Sequence, residues 1–168
     1  MTNKPHLAYG IVTALALILI SVAFYLLKLN QESWAGWVST LVLVAGVVMS
    51  CIAYSKANPD GTFGNIFANG FRTTAVITVL SILSTLLFIY IFPDIKEQAV
   101  EAARKKMESQ HQSEEAIENA LAITRKMFIP FVIGFSLFFN VLFGVLASVV
   151  GGVIGRRNLN SYEPPAGK

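Results

Sequence analysis

Apolar residues in this chain gather in four long runs, not in the alternating pattern of half-buried strands or the one-sided stripe of helices on a wet surface. Residues 7–27, 34–54 and 73–92 contain no Asp, Glu, Lys, Arg or His, and neither does the longer run at 127–155. At ~1.5 Å per residue, a helix of about 20 residues covers ~30 Å, the thickness of a bilayer's hydrocarbon core. A buried helix of a water-soluble protein is seldom so long and so free of charge. The pattern predicts an all-α integral membrane protein. It has four transmembrane helices, with an extramembrane helical segment at 93–126 between helices 3 and 4. Together these make a single four-helix membrane domain over 1–158. Pro130 stands near the start of the fourth run, where a missing N–H is tolerated, so that helix is expected to begin at the interface and tilt.

The borders are marked by aromatic and turn residues. Trp34 and Trp37 open the second run, Tyr54 closes it, and Tyr90 and Phe92 end the third. Such rings favour the headgroup level because an apolar body carries a polar handle. The short stretch 28–33 predicts an antiparallel hairpin of the first two helices. Asn58-Pro59-Asp60-Gly61 predicts a turn, with proline fixing one dihedral and glycine accepting a positive φ. Phe63, Phe67 and Phe71 then recur at i, i+4 and i+8, beside Gly64, Asn65 and Asn69. This spacing fits either a short helix lying in the headgroup boundary or an early start to the third span.

Between the third and fourth runs the charges alternate. Asp94 is placed to cap a helix reaching about Gln110, with Ile95, Ala99, Ala102, Ala103 and Met107 on its less polar side. His111-Gln112-Ser113 reads as a break, and Ser113 as the next N-cap, followed by Glu114 and Glu115 at the positive end of a helix dipole. Ile117, Leu121, Thr124 and Phe128 continue at helical spacing. A solvated helical hairpin, or helical extensions of spans three and four, is expected here. The last ten residues, 159–168, carry Pro164 and Pro165 and read as a disordered tail.

Composition agrees with the pattern: 54% of the 168 residues are apolar, 14% are charged, and the mean hydropathy is +0.60. The net charge of +3 gives no footprint for nucleic acid. Basic residues matter here through position. Lys4, Lys56, Arg72, Arg156 and Arg157 lie close to span ends on one side, against Lys28 in a comparably short segment on the other. This bias points to both termini in the cytoplasm. Ser21-Val22-Ala23 resembles a signal-peptidase site, but the apolar run continues through Leu27, so the first span is expected to be retained.

Candidate chemistry is sparse. Cys51 is the single cysteine and lies in an apolar run, which leaves no intrachain disulfide and no cysteine-based metal site and reads as a buried, inert thiol. His6 and His111 stand alone, and no hydrolase, metalloprotease or nucleotide-binding signature is present. Spans without ionisable groups argue against proton relays. No enzyme activity, catalytic residue, metal or cofactor is expected. What is ordered is a set of small and polar residues. In the third span, Gly70, Thr74, Thr78, Ser81 and Thr85 follow helical spacing. In the fourth, Ser136, Asn140, Gly144, Ser148 and Gly152 recur every four residues, with Gly151 and Gly155 alongside. Such residues let helix backbones approach closely and hydrogen-bond across the seam. They read as the packing seams of the bundle, with a dimer face or a narrow polar pathway as the sharper alternatives.

The Phe-Gly-Asn-Ile-Phe-Ala-Asn-Gly-Phe-Arg lead into span three, the apolar stretch closing on Pro93, the charged helical connection and the ending Gly-Gly-Val-Ile-Gly-Arg-Arg-Asn together resemble the bacterial membrane-protein family Domain of Unknown Function 4199. The likeness runs to about Asn158. It implies a bacterial membrane protein, here placed in the cytoplasmic membrane, and supplies no substrate or active site. The expected function is non-enzymatic, through helix packing with a second copy or a membrane-protein partner within the lipid bilayer and with no nucleic acid. The alternative is a small channel lined by Ser, Thr and Asn.

Overall fold

The computed structural model describes residues 4–29, 32 and 34–160, with the side chains of 158–160 left aside. Among these residues every regular element is helical: α1 (Pro5–Leu26), α2 (Ala35–Ala57), α3 (Phe63–Ile91), α4 (Asp94–Ser109) and α5 (Glu114–Asn160). All but α4 are long and apolar enough to cross a membrane. Their outward faces carry large apolar side chains, such as Leu19 on α1, Leu41 on α2, Leu83 on α3 and Phe138 on α5, all exposed.

Several borders differ from the sequence expectation. α3 begins at Phe63 rather than 73 and runs without interruption to Ile91, so the phenylalanine stretch is the early start of that helix. Its rings stack along one side, with centroids 6.3 Å apart for Phe63–Phe67 and 6.4 Å for Phe67–Phe71. α5 does not begin near Pro130, because one helix continues from Glu114 through the proline to Asn160. A proline inside a helix frees the carbonyl four residues earlier. That residue is Lys126, and both it and Pro130 are exposed, so the freed carbonyl is not sealed in a core. Helix continues to Asn160 where a disordered tail from 159 was expected; residues 161–168 lie outside the described part.

The turns also correct local expectations. Gly61 donates its N–H to the Asn58 carbonyl at 2.9 Å, and no described glycine has a positive φ. Gly61 thus closes a turn as its fourth residue, with Pro59 second. The left-handed positions are held instead by Lys28 (φ 57°) and His111 (φ 55°). Each ends a helix in the same way. Leu29 N–H reaches Phe24 O and Lys28 N–H reaches Tyr25 O after α1; Gln112 N–H reaches Met107 O and His111 N–H reaches Glu108 O after α4. This doubled bond satisfies carbonyls that the helix leaves open.

The chain forms two compact units. The first holds residues up to Ser81 and from Phe138 onward. Its apolar centre is Leu17, Leu43, Val47, Ile77 and Ala147, and α1 and α2 pack against each other in it. The second is Ile82–Leu137, where Val100, Ile117 and Leu121 form a small core with Ala103 and Met107 against it. The buried side of α4 centres on Val100, whereas Ala99 and Ala102 are exposed, a rotation from the face expected from sequence. Asp94 is the first helical residue rather than the cap and accepts a bond from Gln98 Nε2 at 2.8 Å. Ser113 caps α5 by accepting from Ala116 N–H at 3.4 Å. Outside this core Arg104 bridges α4 and α5, pairing with Glu118, with Glu114 at 3.5 Å and with Glu108 at 3.8 Å.

Candidate functional site

The polar residues of the first unit are concentrated on α3. Asn69, Thr73 and Ile77 form one buried row, and Gly70, Thr74 and Thr78 form the row beside it. Residues four apart share a helix face, so two adjoining rows can address two neighbours. The first row meets α2. Asn69 Nδ2 donates to Ser50 O at 3.1 Å and to Ser50 Oγ at 2.9 Å; Thr73 Oγ1 donates to Asn69 O at 2.9 Å. Ser50 Oγ and Thr73 Oγ1 lie 2.7 Å apart. Since Thr73 spends its one proton on the Asn69 carbonyl, Ser50 is the donor of that pair. The amide orientation follows too, because the flipped amide would set Oδ1 against the Ser50 carbonyl. All donors of the cluster are thereby used, while Asn69 Oδ1 is buried without a partner.

The second row meets α5. Thr74 Oγ1 bonds back to Gly70 O at 3.1 Å and Ser148 Oγ to Gly144 O at 2.6 Å, which tucks each hydroxyl against its own helix. The glycines then admit the neighbouring helix. A Cβ on Gly144 would overlap Thr74, and one on Gly70 would lie 2.7 Å from Ser148 Oγ and 2.6 Å from Cys51 Sγ. A Cβ on Gly151 would come 2.7 Å from Cys51 Cβ, and one on Gly152 would come 2.7 Å from the ring of Phe63. α1 joins by the same device: Gly46 of α2 receives Thr13, and a Cβ on Gly10 would come 2.7 Å from Val76 Cγ1. At these glycines the contacts are too close to admit water and gain dispersion.

Of the residues expected from sequence, Thr74, Thr78, Gly144, Ser148 and Gly152 are buried in this unit. Ser81 is half-buried with its Oγ enclosed, and Asn140 is half-buried. Thr85 and Ser136 belong to the second unit and are half-buried there. Cys51, read from sequence as a thiol in an apolar run, is free and wholly buried, whereas sequence reasoning missed the roles of Asn69, Thr73 and Ser50. The available signal was a second row of period four on α3, and Gly46 and Ser50 one turn apart on α2. Among the described residues, no group of three His, Cys, Asp or Glu side chains is placed to hold a metal ion.

A model of the family described as "Protein of unknown function (DUF4199)" matches residues 8–157. The chain belongs to that family. No curated protein and no solved structure matches it. The DUF4199 match takes in the whole seam, from Gly10 to Gly155. Membership in DUF4199 carries no activity with it, so the function has to be argued from these side chains.

Proposed function

We propose that this DUF4199 protein is a non-enzymatic, multi-pass protein of the bacterial cytoplasmic membrane that works by helix packing, with a second copy or with another membrane protein. The carrying observation is the Gly144–Thr74 and Gly70–Ser148 seam. It buries Gly70, Thr74, Gly144 and Ser148 inside one chain and leaves the outer apolar helix faces and the charged α4–α5 pair as the surfaces open to a partner. The apolar helices supply the affinity for lipid, and the runs 7–27, 34–54, 73–92 and 127–155 hold no ionisable group for acid–base work. Lys4, Lys56, Arg72, Arg156 and Arg157 favour cytoplasmic termini, with 93–126 on the opposite side. Cross-linking and native mass in mild detergent test the reading. A higher-order species or a co-purifying membrane protein is the expected result, and a clean monomer alone sinks it. Orientation is read by placing Ser109→Cys in a Cys51→Ala background, where an impermeant maleimide added outside intact cells should label it.

A second reading, a small permeation protein, is favoured by one observation: Thr78 Oγ1 and Ser81 Oγ are buried and unpaired on the face that would line a path. Solute flux into liposomes carrying the protein, compared with empty liposomes, separates it from the first.

A further inference from the structure

Three buried hydroxyls on α3 and α5 bond back to their own helix, and Thr78 does not. Thr73, Thr74 and Ser148 each bond the carbonyl four residues earlier, at 2.9, 3.1 and 2.6 Å. Thr78 is only 5% exposed, yet its Oγ1 has no partner, and neither does Ser81 Oγ three residues on. Leaving such groups bare in an apolar interior forfeits the bonds they would make to water.

The register of α3 on α5 can be carried forward to their level. Gly70 stands against Ser148, and Thr74 against Gly144. One turn forward on α3 therefore matches one turn back on α5, and the next step sets Thr78 level with Asn140. Ser81 follows on the same side of α3. Asn140 is half-buried, one turn before the closed approach at Gly144.

We infer that Thr78, Ser81 and Asn140 form a binding site for a small neutral ligand that both donates and accepts hydrogen bonds, with water the smallest that fits the description. The donor set selects this class. Two hydroxyls and an amide offer both donors and acceptors and no charge. A metal cation needs several further oxygens, and the backbone carbonyls of a helix are already engaged. An anion has no cation here to meet it. The polar site is independent of the packing reading: a hydrated pocket that passes no solute leaves that reading intact.

Methyl-labelled threonine in the full-length protein, reconstituted in nanodiscs, provides the test through magnetisation transfer from water. Thr74 is the internal control, one turn away and sealed by Gly144. Transfer to the Thr78 methyl is expected to build up several-fold faster than to Thr74, as for a group beside an ordered buried water. In Thr78→Val combined with Ser81→Ala, transfer to the Asn140 side-chain amide should be lost. Equal build-up at Thr74 and Thr78 overturns the site, as it would mean that Thr78 turns to bond its own helix and the seam is dry. An Asn140 signal that survives the double variant overturns it as well. If that variant does not fold, the comparison within the wild-type protein still decides.

Discussion

Ser50 Oγ lies 2.7 Å from Thr73 Oγ1, both side chains wholly buried, and this bond ties α2 to α3. Each partner also has a second bond, Ser50 from Asn69 and Thr73 to the Asn69 carbonyl. Removing one hydroxyl therefore strips the others of support, and the energies of single variants should not add. Ser50→Ala, Thr73→Val and the double variant, compared by reversible unfolding in detergent, should give a coupling of about 0.6 kcal/mol and at most ~1.7, the average and upper limit for interhelical bonds in apolar surroundings. Strict additivity would mean that the two side chains do not act together.

The close approach at Gly144 makes a different prediction. Gly144→Ala drives a methyl into Thr74, and overpacking of this kind costs about 1–3 kcal/mol. Thr74→Ala should return part of that loss, because it clears the atoms in the way. Gly36 and Gly134 are the contrast. A Cβ there meets nothing within 4 Å, so Ala is expected to be neutral or to stabilise by about 0.5–1 kcal/mol through helix propensity. Thermal midpoints of the four variants, with helix content by circular dichroism, separate the two classes.

The fold was legible because its signals are one-dimensional. Charge-free runs give the four long apolar helices, and small residues every four positions give the face of α5 that carries Gly144, Ser148 and Gly152. Spacing on a helix sets direction, however, not distance. Thr85 and Ser136 keep the period of the seam and are only half-buried. The Asn69–Thr73 row was hidden for another reason: it adjoins the Gly70–Thr74 row, and nothing in the sequence assigns one row to α2 and the other to α5. Pro130 misled because proline costs a helix one bond and a local clash without having to end it, and the apolar and polar spacing on both sides of it is helical. Here the residue whose carbonyl it frees, Lys126, is exposed.

The α4–α5 pair tests which of two interactions holds it. Arg104 reaches Glu108, Glu114 and Glu118, but these groups are well exposed, and exposed ion pairs contribute about 0–1 kcal/mol. Leu121 and Ile117 are 1% exposed in the small core with Val100. Truncating a buried leucine or isoleucine costs about 2–5 kcal/mol. Leu121→Ala should thus accelerate amide exchange along α4 far more than Arg104→Met, and added salt should mimic only the arginine variant. A larger effect of Arg104→Met would transfer the hairpin's stability to its charges.

The end of α4 supplies the last prediction. His111 sits at φ 55°, where its Cβ crowds the backbone, and it does so to let Gln112 N–H reach Met107 O and close the helix. Glycine adopts this conformation without the steric cost of about 1–2 kcal/mol, against which stands its greater loss of freedom on folding. His111→Gly should therefore stabilise the hairpin by about 0.5–1 kcal/mol. His111→Val, with a branched Cβ in the same position, should destabilise it. Amide exchange in residues 94–121 measures both. If the two substitutions shift exchange in the same direction, the positive φ is not what limits this turn, and the imidazole itself would be contributing.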